Sequence, residues 1–157
     1  MAWSNSKIFR QYLADVLNNT TAMDANSDTF KLALFDNDIT PDNDVTAANS
    51  AYNAGQWASS GNEVFEAGQW AQGGPSLASV SLDVGTADVV FFDAADTASG
   101  SAADLANVYG GETYDDTIAS PVADQGVCYN YYGGANSVVN GTFTVVHHAN
   151  GIWRITL

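Results

Sequence analysis

The sequence predicts a mainly β fold, an antiparallel β-sandwich or partly closed barrel with one short N-terminal helix. Three observations carry that reading. Apolar residues recur at helical spacing only near the start of the chain. After Asp28 they alternate with period two, and the runs are separated by clusters of Gly, Asn, Asp and Ser. The 157 residues make one domain, with a helical segment 1–19 and a β body 28–157.

The helix is expected from Lys7 to Leu17. Ile8, Phe9, Tyr12, Leu13, Val16 and Leu17 fall on one face, Ser4 or Ser6 is placed to cap it, and Asn18-Asn19 closes it. The stripe has two readings: packing on the chain's own sheet, or docking on a neighbouring subunit. Three of the four basic residues, Lys7, Arg10 and Lys31, lie in or soon after it, which favours docking.

The strands follow in order. FKLALF (30–35) sets Phe30, Leu32 and Leu34 on one face, and LASVSLDV (77–84) alternates Ala78, Val80, Leu82 and Val84 with polar residues. SAADLANVYGG (101–111) is expected to be a short helix, with Ser101 and Asp104 as a capping-box-like pair and Gly110 ending it. DVVFF (88–92), GVCYNYY (126–132), TFTVVHH (142–148) and IWRITL (152–157) complete the strand set. Asn150-Gly151 between the last two predicts a β-hairpin, and Gly133-Gly134 with Asn140-Gly141 brackets a further turn. The stretches 36–55 and 110–126 otherwise read as long surface loops.

Charge narrows the functions. Four Lys and Arg face eighteen acidic residues, a net charge of -14. Such a surface repels phosphates, which argues against nucleic acid and anionic membranes as partners. Cys128 is the only cysteine, so an intramolecular disulfide and a Cys-based metal cluster are both ruled out; a buried thiol is expected. No apolar run reaches membrane-spanning length and the N-terminus lacks a signal-peptide core, so the chain is expected to be made and used without secretion.

Candidate chemistry is sparse. Asp36-Asn37-Asp38 and Asp42-Asn43-Asp44 evoke a calcium loop, but Pro41 and Ala47 stand where an EF-hand needs Gly and Glu; an acidic turn is the better reading. His147 and His148 are adjacent, so strand geometry sends them to opposite faces, one to the core and one to the sheet surface. Neither a nucleophile elbow nor a glycine-rich phosphate loop is present. The expectation is a protein without enzymatic activity, metal or cofactor.

One phrase occurs twice, at Ala54-Gly55-Gln56-Trp57 and Ala67-Gly68-Gln69-Trp70. The separation is too short for a solenoid unit. Trp57 and Trp70 are either packing residues or exposed anchors that stack on sugar or grip a protein partner.

Four stretches, FKLALFDNDITPD (30–42), AYNAGQW (51–57), YDDTIASPVADQGVCYNYYGG (114–134) and GTFTVVHHANGIWRITL (141–157), resemble small structural proteins of tailed bacteriophages, of the head decoration or minor capsid type. The similarity covers most of the chain after the first helix. It implies a cement protein on the outer face of the virion head, made in the host cytoplasm, bound to the major capsid protein and trimeric at threefold positions. On that reading the contact elements are Ile8, Phe9, Tyr12 and Leu13 of the helix, with Trp57 and Trp70. The alternative is a tail-associated or surface adhesion module that binds host glycans through the two tryptophans.

Overall fold

The computed structural model describes residues 3–85 and 88–157, so the first two residues of the 1–19 segment lie outside it. The chain is mainly β and all its strand pairings are antiparallel, as its sequence predicts. The strands form an open, sandwich-like arrangement rather than a closed barrel. β1 (Lys7–Ile8), β2 (Phe30–Phe35), β6 (Ala103–Asp115) and β7 (Gly126–Gly141) make one sheet in the order β1-β7-β6-β2. β3 (Ser81–Val84), β4 (Val89–Asp93) and β9 (Trp153–Thr156) make a second, and β5 (Thr97–Ala98) pairs with β8 (Thr144–Val145).

β2 forms over the predicted six residues, yet it is buried nearly throughout rather than on alternate residues. Both of its faces are covered. On one, Phe30 meets Phe92 of the second sheet with ring centroids 4.9 Å apart. On the other, Phe35 meets Trp57 at 5.2 Å. Its outer edge is closed by neighbouring loops, through Val64 N–H to the Leu34 carbonyl (2.8 Å) and Leu77 N–H to that of Phe30 (2.7 Å). Gly74 makes this approach possible: its φ is +78°, and a Cβ there would overlap the Leu32 carbonyl.

The helix is shorter than its apolar spacing predicts. α1 spans Arg10–Leu17, while Lys7 and Ile8 are drawn into β1 beside Tyr129 and Cys128. Phe9 occupies the N-cap without a side-chain hydrogen bond, and Ser6, a predicted cap, instead accepts from Tyr131 N–H at 3.0 Å. Asn18 ends the helix as expected. Its polar inner face is held by Asp15, whose carboxylate accepts from Gln11, Thr20 and Gln125 at 2.8–3.0 Å. Burial alone would raise this carboxyl's pKa; the three donors outweigh it and hold it below the ordinary range.

Three local expectations are corrected. Residues 101–111 are not a helix. They start β6, where Ala103, Leu105 and Val108 face the core, Asp104 N–H donates to Glu66 (2.6 Å), and Asp104 itself accepts from Asn140 N–H. Pairing with β7 overrides the helical propensity of an Ala-rich stretch. Gly133-Gly134 does not reverse the chain. It lies in a bulge of β7, where Tyr131 faces Gly110 and Asn136 faces Val108, and the Asn136 amide ties the bulge to the Gly134 carbonyl at 2.8 Å. Asn150-Gly151 does turn the chain, with Gly151 N–H donating to the His148 carbonyl at 2.7 Å. The flanking strands then part company: β8 pairs with β5, and β9 with β4. A turn between sheets replaces the predicted hairpin.

Trp57 stands at the centre of the core. It is fully buried and meets Trp3, Phe9, Phe35 and Tyr129 with centroids 5.2–5.9 Å apart. Trp57→Ala is expected to cost about 3–5 kcal/mol, the range for truncating a large buried aromatic, read as a fall in denaturation midpoint. Deleting residues 1–19 removes Trp3, Phe9 and Tyr12 from the same core and strips β1 from the sheet. The truncated chain is expected to lose its cooperative unfolding transition in calorimetry.

Candidate functional site

The residues singled out by sequence divide sharply by burial. Phe9, Tyr12, Trp57 and Trp70 are buried, and Leu13 is half-buried. Exposed tryptophan anchors at 57 and 70 are therefore excluded, and the glycan reading loses its platforms. Both AGQW phrases are tight turns that drive a tryptophan inwards. Gly55 and Gly68 take φ of +52° and +81°; Trp57 N–H closes on Ala54 O and Trp70 N–H on Glu66 O, each at 2.9 Å. Trp70 ends against Phe143 at 6.2 Å. The helix likewise packs on its own domain, leaving Val16 and Leu17 as its exposed apolar residues.

The acidic turn reading of residues 36–44 holds in detail. Asp36 accepts from Asp38 N–H and Asp42 from Asp44 N–H, both at 2.9 Å, which makes two successive Asx turns. Asp44 also pairs with Arg10 at 2.6 Å. Among the described residues no cluster of three or more His, Cys, Asp or Glu is arranged to hold a metal. Cys128 is buried, as expected, and burial pushes its thiol up to about 12. The histidines depart from expectation: His147 is half-buried and His148 exposed, so neither is a core residue.

Two features escaped the sequence reading. The first is a set of buried carboxyl groups. Glu112 is fully buried with neither carboxyl oxygen partnered among the described residues, and its pKa is driven well up by burial and by the nearby Glu63 and Asp124. Glu63 beside it accepts from Gly73 N–H at 2.5 Å and Tyr52 O–H at 2.9 Å, and Tyr52 stacks on Tyr114 at 4.7 Å. Asp115 is raised to about 7, first by burial and then by the carboxylate of Asp28.

The second feature is a groove where the edge strands of the two sheets, β1 and β9, approach one another. Its main hollow, about 470 Å³, is lined by Lys7, Ile8, Cys128, Asn130, Ile152, Trp153 and Arg154, among others. Smaller hollows of about 180 and 170 Å³ adjoin it through shared residues, and one of about 310 Å³, at Phe143 and Val146, adjoins the first of these through Tyr132, Val145 and Val146. Not one Asp or Glu lines any of the four. The signal for this lies in the sequence: residues 125–153, twenty-nine in a row, contain no Asp, Glu, Lys or Arg. Of the six interface candidates, Ile8 alone lines the groove.

The groove also gathers the free cations. Arg10 pairs with Asp44 and Lys31 with Asp116, whereas Lys7 and Arg154 form no ion pair among the described residues. The indole N–H of Trp153, stacked on Phe92 at 6.0 Å, is a buried donor without an acceptor among the described residues. Apolar walls and unpaired donors together suit a carboxylate-bearing segment. No family profile, curated protein or solved structure matches the chain. Among the described residues no helix is long and apolar enough to cross a membrane.

The buried acids make stability depend on pH in a defined direction. Folding keeps protons on Glu112 and Asp115 that the unfolded chain releases in the ordinary carboxylate range. Their stabilising contribution is whole below that range and is lost as pH rises through the folded values, near 7 for Asp115. Asp15 acts oppositely, its contribution disappearing in acid. Glu112→Gln, which mimics the protonated acid, is expected to raise the melting temperature at pH 8 and to flatten its decline between pH 5 and 8. An unchanged slope would show that Glu112 does not carry the effect.

Proposed function

We propose that this chain is a non-enzymatic structural protein of a tailed-phage particle, a decoration protein whose acid-free face meets the shell of major capsid protein. The observation that carries this reading is the distribution of charge. On a chain of net charge -14, the groove and its neighbouring hollows are lined without a single Asp or Glu, with Asp96 at their border accepting from His147 N–H. The same region holds a long strand edge and exposed apolar side chains. Depletion of charge is what distinguishes the centre of a protein interface from the rest of a surface. Beyond the short β1, the outer edge of β7 has no neighbouring strand among the described residues, and it carries no Lys or other charge to discourage pairing with another chain. The resemblance of four stretches to phage head proteins supplies the class of partner.

The buried aromatic core fits the same role. Rigidity limits the entropy lost on docking, and the acidic remainder of the surface discourages non-specific contact between copies. The test is to mix the protein with undecorated heads and image the particles. Regular density on the outer face of the head is expected; density confined to the tail, or none, would sink the proposal. Val146 is 71% exposed and lines the groove, so Val146→Asp leaves the core untouched while placing a charge in the acid-free face. Its affinity for heads is expected to fall roughly tenfold, about 1.4 kcal/mol, with an unchanged melting temperature.

A further inference from the structure

We infer that the cationic end of the groove, at Lys7 and Arg154, is the seat for the acidic turn 36–44 of a second copy of this chain. The inference extends the decoration reading by assigning part of the acid-free face to contact between copies, and it stands or falls without any particle.

Charge complementarity selects the occupant. Lys7 and Arg154 are unpaired among the described residues and line one hollow that holds no carboxylate of its own. A lone ammonium and guanidinium on an otherwise acidic chain attract carboxylates, and this chain's own surface is rich in them. Among its acidic stretches, several are already engaged internally. Asp116 pairs with Lys31, Asp96 accepts from His147 N–H, Asp104 from Asn140 N–H, and Asp28 from Asp24 N–H. In the turn 36–44 the internal contacts of Asp36, Asp42 and Asp44 fix the backbone in advance, and Asp38 is left exposed, with no side-chain hydrogen bond or ion pair among the described residues. A preformed loop loses little entropy when it docks.

No residue of the turn lines the groove, so the contact passes from one copy to the next and closes into a ring when the rotation allows. The apolar hollow at Tyr132, Phe143 and Val146 lies outside the cationic end and stays available to the shell.

The experiment is sedimentation of the full chain at several protein concentrations. The wild type is expected to form a species larger than the 16.5-kDa monomer, and Lys7→Glu with Arg154→Glu is expected to reduce it to monomer. Asn37→Lys with Asp38→Lys leaves Asp36 and Asp42, which hold the two turns, in place; it too is expected to give monomer. Combining all four substitutions exchanges the charges across the contact and is expected to restore the oligomer. Circular dichroism of each variant checks its fold, and Lys7→Gln with Arg154→Gln replaces the Glu pair if that pair misfolds. A monomeric wild type, an oligomer indifferent to the groove substitutions, or failure of the four-fold exchange to restore association would each overturn the inference. Head binding by a monomeric wild type would do so while leaving the decoration reading intact.

Discussion

The fold depends on one aromatic contact set, the rings gathered around Trp57. Trp3 and Phe9 come from the N-terminal segment, Phe35 from β2 and Tyr129 from β7, so a single side chain ties together parts of the chain more than a hundred residues apart. Edge-to-face geometry prevails, which adds directional preference to simple burial. The 3-10 turn at Gly55–Trp57 supplies the ring, and it can do so only because Gly55 accepts a positive φ close against Asn49. What looked in sequence like a detachable docking helix is anchored through Phe9 and Tyr12 to this same core. The N-terminal segment is thus structural first, and its contribution to binding is confined to what it leaves exposed at β1.

Fixing β1 against β7 has a functional consequence. It brings Lys7 and Ile8 to the edge of the first sheet, opposite the C-terminal β9 with Trp153 and Arg154. Residues near the two ends of the chain therefore build one groove. An open sandwich necessarily has such mouths between its sheets, and most are closed by loops or lined with charge. Here the lining is aromatic, aliphatic and cationic. No carboxylate lines it, and twenty-nine consecutive residues that build it carry no Asp, Glu, Lys or Arg, while Asp96 stays at its border on His147 N–H.

How much of this was legible beforehand follows from the range of the forces involved. Period-two patterning placed β2 to the residue, because the alternation is local. It misread β2's environment, since the second covered face arises from Trp57 and from loops that no local pattern reports. Residues 101–111 have good helix formers and a capping-box-like start, but their partner, β7, begins some fifteen residues downstream. Asn150-Gly151 was legible as a turn; that its strands join different sheets was not, because strand partners are set by Phe91 and Phe92 far upstream. The tryptophans were ambiguous for a related reason: residue type gives size and polarity, while burial is decided by the turn that aims the ring. The groove had a readable signature after all, in the charge-free run 125–153, but composition averaged over the whole chain concealed it.

Buried carboxyl groups follow from the same architecture. β6 is covered on both faces along Glu112 to Asp115, so a polar residue there has no route to solvent. Tyr52 and the Gly73 N–H satisfy Glu63, and the remaining acids stay in the fold by holding protons. Asp15 is the buried exception, held by three donors, and most of the other carboxylates are exposed, so the chain divides its acids into two populations. In the interior, burial at Glu112 and Asp115 favours the protonated form. On the exterior, repulsion keeps copies apart except at the face whose hollows no acid lines. Self-repulsion of that kind does not oppose a specific contact; it restricts approach to the one region that lacks it. A single uncharged, partly cationic face on an acidic body therefore supplies orientation as well as affinity, which is the property that a protein arrayed regularly on a lattice requires.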